Sequence, residues 1–200
     1  MATNNATNTS NPVSIAQGGT NASSMSTSTG LVNYDGTRLI TSTTALIDST
    51  GRQTNSAQPC FVSDIDNPTN VTGDGTAYTV AYSNAFVNRG SYYNAGTFIF
   101  TAPVTGIYQF SVLLSYTLST STPTSGTVGL VTTGNTFTLQ TFSSLVQAQA
   151  ISTVNSSIAV PMTATDTAKV VFTMTGSTKA VSILGASGAL RSTFSGFLIC

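Results

Sequence analysis

The sequence predicts an all-β fold, a jelly-roll sandwich of about ten antiparallel strands, with an extended N-terminal arm. Three observations predict it. Short β-rich runs follow one another at a steady spacing after Pro59, the longest sets a large apolar residue at every second position, and no segment has helix-length amphipathic periodicity with caps.

Residues 1–30 are Asn, Thr, Ser, Ala and Gly with isolated apolar residues, too little apolar surface to offset the entropy of ordering, so they read as an arm. Within it Val13 and Ile15 stand two apart, ahead of Gly18 and Gly19. An extended, glycine-permissive segment of this kind can add to the sheet edge of another subunit, which makes these four residues the candidate assembly anchor. Residues 31–58 place Leu31, Val32, Tyr34, Leu39, Ile40, Leu46 and Ile47 between Asp-Gly and Thr-Gly turns and read as a neck of short strands. Residues 59–200 are the sandwich. Tyr78, Val80 and Tyr82 predict one strand with a large face, and Phe98 and Phe100 a second. After Gly106, the residues Tyr108, Phe110, Val112, Leu114, Tyr116 and Leu118 share one side, with Gln109, Ser111, Ser115 and Thr117 on the other. Further strands are expected around Val128, Phe137, Ile158, Val170, Val181 and Phe194. Pro103 and Gly106 predict a turn, in which glycine accepts positive φ.

The composition narrows the function. Six Lys and Arg offset six Asp, Glu and His are absent, and charged residues are 6% of the chain. Such a surface favours association over colloidal isolation. Arg38, Arg52, Arg89, Lys169, Lys179 and Arg191 are scattered singly, which gives no footprint for nucleic acid. Neither a membrane span nor a signal peptide is predicted, so the expectation is a soluble chain made in the cytoplasm of a host cell. Cys60 and Cys200 read as ordinary thiols rather than a bridge. The triplets beginning at Asn5, Asn8, Asn21, Asn70 and Asn155 are what chance gives in a chain this rich in Asn, Ser and Thr.

One spacing is specific. Asn88 is followed after four residues by Tyr93, after six more by Phe100, and after five more by Gly106-x-Tyr108-x-Phe110. The stretch resembles the signature of the complement globular-head and tumour-necrosis-factor superfamily, and the closing run through Phe194, Gly196 and Phe197 resembles that family's last strand. Tyr82 stands where Phe is usual, and Val112 where an aromatic is usual. The resemblance implies a homotrimer around an axis lined by apolar and aromatic residues, with Tyr78, Tyr82, Tyr92, Tyr93, Tyr108 and Tyr116 as candidates. Two shorter segments, Val13-Ser-Ile-Ala-Gln-Gly-Gly-Thr-Asn-Ala and Asn70-Val-Thr-Gly-Asp-Gly-Thr, are similar to phage virion proteins and to viral and bacterial family members. They set the expectation of a virion-surface decoration protein or fibre, partnered by capsid or tail subunits. The alternative is a fibre tip that binds a host receptor or glycan through loops such as 119–125 and 185–189.

Catalysis needs a proton carrier or an activated nucleophile, and a chain without His or Glu predicts no enzyme. Asp64 and Asp66, the remaining pair for glycan cleavage, read equally well as turn residues. With Asp74 they are the candidate calcium ligands, since some members of the resembled family bind that ion, although turn chemistry alone accounts for Asp74.

Overall fold

A computed structural model describes residues 30–34, 36–37, 39–48, 50–118, 123–143, 151–185 and 191–200. The chain divides into two compact units, residues 1–57 and 58–200. Val13, Ile15, Gly18 and Gly19 lie outside the described residues.

In the first unit, β1 (Gly30–Tyr34), β2 (Leu39–Ile47) and β3 (Gln53–Asn55) form an antiparallel sheet in that order. Asp48 builds the β2–β3 turn: its Oδ1 accepts the N–H groups of Thr50 and Arg52, each at 2.9 Å, and its Oδ2 meets Arg52 Nε at 2.7 Å. The Thr50 hydroxyl and then the Arg52 donors hold the Asp48 carboxyl down to about 2. Gly51, at φ 83°, supplies the left-handed residue that closes the turn.

The second unit is a sandwich of two antiparallel sheets, and no helix occurs among the described residues. One sheet is ordered β12 (Ile151–Met162), β9 (Gly106–Leu118), β15 (Thr193–Leu198), β4 (Cys60–Asp64), β6 (Asn84–Arg89), with β14 (Val181–Leu184) also paired to β9. The other is ordered β11 (Thr136–Ser143), β10 (Ser125–Thr132), β13 (Thr167–Thr175), β8 (Ile99–Thr101), β7 (Tyr93–Asn94), with β5 (Tyr78–Thr79) also on β13. The alternation expected along β9 is present: its even-numbered residues from Tyr108 to Leu118 are all buried.

Three local expectations need correction. Among the described residues this unit has twelve strands, β4 to β15, where about ten were expected: β4, β6 and β7 were not anticipated, and the two-residue β7 is too brief to leave a periodic signal. The strand at Tyr78 ends at Thr79: Val80 and Tyr82 are buried as expected, but the Tyr82 N–H turns back to the Val80 carbonyl at 3.0 Å. Phe98 is likewise not a strand residue. It sits at φ 63° and closes a turn by donating its N–H to Asn94 O at 2.7 Å, so only Phe100 enters the core.

Seven aromatic side chains fill one end of the sandwich. Phe61 stacks on Tyr93 with centroids 4.6 Å apart, meets Phe194 edge-on at 4.9 Å and lies 5.2 Å from Phe100. Phe110 joins Phe100 at 5.6 Å and Phe194 at 5.8 Å, with Tyr108 and Tyr82 at the margin. Phe61, Phe110 and Phe194 come from one sheet, Tyr93 and Phe100 from the other, so these contacts bind the sheets together. Each such pair adds about 0.5–1.5 kcal/mol to what burial supplies. A second cluster of Tyr116, Phe142 and Phe172 holds the other end.

Two glycines are demanded by close approach. A Cβ on Gly196 would stand 2.7 Å from ring carbons of both Phe110 and Phe61. A Cβ on Gly106 would stand 2.4 Å from the Cys200 carbonyl. Gly106 is absent from the positive-φ glycines, so the chain requires it for space and not, as the turn reading had it, for backbone freedom. Gly196→Ala is therefore expected to destabilise the domain by about 1–3 kcal/mol, because the rings have nowhere to shift. Urea unfolding measures this, and an unchanged midpoint would contradict the packing described.

Candidate functional site

The residues singled out by spacing gather in one place, with one exception. Asn88 on β6 clamps the Tyr93 backbone: its Nδ2 donates to Tyr93 O at 2.7 Å, and its Oδ1 accepts the Tyr93 N–H at 3.2 Å. That aims the Tyr93 hydroxyl at the Tyr82 carbonyl, 2.7 Å away, which also accepts Ser63 Oγ at 2.8 Å. Tyr82 in turn donates its hydroxyl to Leu113 O at 3.1 Å. Tyr108 donates to Val104 O at 2.8 Å and so pins the bend at Pro103. Phe100, Phe110 and Phe194 complete the aromatic cluster around Gly196. Phe197 is the exception, since it points out of the opposite face and is 47% exposed.

This arrangement removes four of the six candidate tyrosines from an assembly axis and leaves the half-buried Tyr78 and Tyr92. Tyr82, Tyr93, Tyr108 and Tyr116 are buried inside the single chain and are not available to a neighbour. Burial first, and for Tyr82 also the nearby Tyr93 phenol, pushes the Tyr82 and Tyr93 hydroxyls well above the ordinary tyrosine value.

The open surface lies on the outer face of the β9 sheet. Directly paired residues share a face, so the register fixes its composition. One row runs Ala159, Gln109, Phe197, Cys60, Arg89; the next runs Ser157, Ser111, Ser195, Val62, Val87; the third runs Asn155, Leu113, Thr193, Asp64, Asn84. Beyond the first row stand Ile107, 40% exposed, and Ile199, 48% exposed, joined by a backbone bond of 2.8 Å. The outer face of the other sheet has a different character. Its β10–β13 rows pair Ser125 with Thr175 and Thr127 with Thr173, and the β10–β11 rows pair Thr127 with Thr141 and Ser125 with Ser143. Ser125 Oγ and Thr175 Oγ1 bond each other at 2.7 Å. Val131, Lys169 and Val171 share that face by the same register, each half-buried, and the bonded hydroxyls beside them suit water, whereas exposed apolar side chains beside small ones suit a second protein surface.

The three candidate calcium ligands do not assemble. Asp64 is buried, and its Oδ1 has no hydrogen-bond partner among the described residues. Asp66 is exposed and accepts Asn84 Nδ2 at 3.3 Å, while Asp74 is occupied with the Thr76 N–H at 3.0 Å, and bonds from Thr76 hold its carboxyl low. No group of three acidic, Cys or His residues forms among the described residues. The strand ends at Asp64, so Asp64 and Asp66 fall on different surroundings rather than one face. Cys60 and Cys200 are free thiols, and most of the loops expected to recognise a ligand, 119–125 and 185–189, lies outside the described residues, at 119–122 and 186–189.

The model of the C1q domain family matches residues 62–199. The chain belongs to the C1q domain family. The globular domain of zebrafish complement 1qA has the same fold, with a TM-score of 0.50 and 15% identity over 72% of this chain and 98% of that one. Murine APRIL at pH 8.5 aligns with a TM-score of 0.47 and 11% identity, over 71% of this chain and 99% of that one. No curated protein sequence matches the chain. The viral affiliation read from the two short segments has no counterpart in these matches.

Two things escaped sequence reading of this C1q domain. Phe61 sits at the centre of the aromatic cluster, and its signal was the alternation Phe61, Ser63, Ile65 directly after Pro59. Ile107 and Leu113, on the outer face of β9, were hidden in runs that read as continuously apolar. For this C1q domain the tyrosine network has a pH consequence. A phenol with a raised folded pKa contributes stability that is full below its unfolded value near 10 and is lost as the pH rises further. Absorbance at 295 nm is expected to show Tyr82 and Tyr93 ionising only together with cooperative unfolding above pH 10. Their free titration in a chain that remains folded would contradict the burial.

Proposed function

We propose that this chain is a non-enzymatic binding or structural domain that self-associates as a homotrimer through the outer face of the β9 sheet. Domains of the C1q and tumour-necrosis-factor type self-associate as trimers and bind receptors, and this chain carries their fold. The observation that carries the reading is the contrast between the two outer faces, one mostly of Ser and Thr with the half-buried Val131, Lys169 and Val171 among them, the other exposing Ile107, Phe197 and Ile199 beside Val62, Val87 and Leu113. Ile107, Phe197 and Ile199 are each about half exposed, so covering one contributes only part of the about 1.5–3 kcal/mol of full burial, and the rows around it must fit closely to offset the entropy of association. Ile107→Arg with Phe197→Arg is expected to give a folded monomer in native mass measurement at micromolar concentration, whereas Thr127→Arg with Thr173→Arg leaves the trimer intact. A trimer that survives the first pair and dissolves with the second would assign assembly to the other sheet.

The finer reading is a virion-surface protein whose N-terminal residues attach to capsid or tail subunits, with receptor or glycan binding as a second role. It is supported by the Val13–Ala22 segment and by the near-absence of charge. Deleting residues 2–29 is expected to leave a folded oligomer that no longer enters particles. Normal incorporation of the truncated chain would reject the arm as the anchor.

A further inference from the structure

The N-terminal sheet has strands but no interior. Between residues 30 and 57 no residue whose burial is described is buried, although β2 is bonded on both sides. By register, Val32, Tyr34 and Leu46 share one face, while Leu31, Ile40 and Ile47 fall on the other. Val32 is 48% exposed, Tyr34 57% and Ile47 41%. Among the described residues of this unit, a single sheet layer with apolar residues on both faces has no second layer to pack against.

We propose that this sheet packs against the same sheet of other copies of the chain, so that several chains make the core that one lacks. The proposal rests on the self-association argued above. Two observations favour another copy over an unrelated partner. The segment carries Asp35, Arg38, Asp48 and Arg52, two charges of each sign, so copies do not repel one another. It also joins the C1q domain directly at residues 57 and 58, and assembly of that domain would bring the sheets together at an effective concentration on the order of millimolar.

Hydrogen exchange followed by mass spectrometry tests this on the full chain and on the full-length Ile107→Arg, Phe197→Arg variant. In the assembled chain the amides of Leu39–Ile47 are expected to exchange at least a hundredfold more slowly than in the monomeric variant, while those of Thr167–Thr175 exchange alike in both. Val32→Ser, Tyr34→Ser and Leu46→Ser together are expected to remove that protection and leave the trimer standing. A trimer with unprotected Leu39–Ile47 amides overturns this proposal alone. Protection that persists in the monomeric variant also overturns it, because the chain's own residues then supply the cover. A full chain that is monomeric overturns both this proposal and the assembly on which it rests.

Discussion

The sandwich depends on the stacking of Phe61 against Tyr93, because that contact joins strands of opposite sheets at the point where the other aromatic side chains converge. Phe194 and Phe110 reach the pair from β15 and β9, and Phe100 reaches it from β8. Much of what looks like a sequence signature follows from this geometry. Asn88 must fix the backbone of Tyr93 so that one ring is presented flat, and Gly196 must lack a side chain so that two others lie close across the strand. The Tyr82 carbonyl, taking one bond from Tyr93 and one from Ser63, extends the same constraint into polar groups that would otherwise be buried without partners.

How much of this was legible depends on the range of the interaction. The long strand at β9 could be read because alternation over thirteen residues is a local property of the chain. The signature spacing led to the correct family for the same reason: Asn88, Tyr93 and Phe100 lie on neighbouring strands and turns whose lengths are fixed. Phe98 was misassigned because alternation cannot register a left-handed residue, whose conformation here is set by a bond to Asn94. Gly106 was rightly located and wrongly explained, since the atom that forbids a side chain belongs to Cys200, far along the sequence. The composition of the outer face was illegible for a related reason. Only cross-strand register places Val62, Val87 and Phe197 beside Gln109 and Ser111.

Sparse charge makes these surfaces unusual for a globular domain. Where Lys and Glu would ordinarily keep sheet faces apart, this chain uses hydroxyls on one face and leaves the other to shape. Association by such a face gains little from long-range steering and responds weakly to salt. Its selectivity must come from fit at contact, and rigid β-branched side chains on an ordered sheet provide that at low entropic cost.

The position of β15 has a consequence for how the protein is made. Residues 193–198 lie between β9 and β4 in the middle of their sheet, not at its edge. While the chain is being synthesised, β4 and β9 therefore wait with unpaired edges, and Phe61 and Phe110 wait without Phe194. Until residues 193–198 are available the apolar faces of β4 and β9 lack the strand that joins them. A chain cut short before β15 would lack the strand that joins β9 to β4, so the sheet closes only once residues 193–198 are in place.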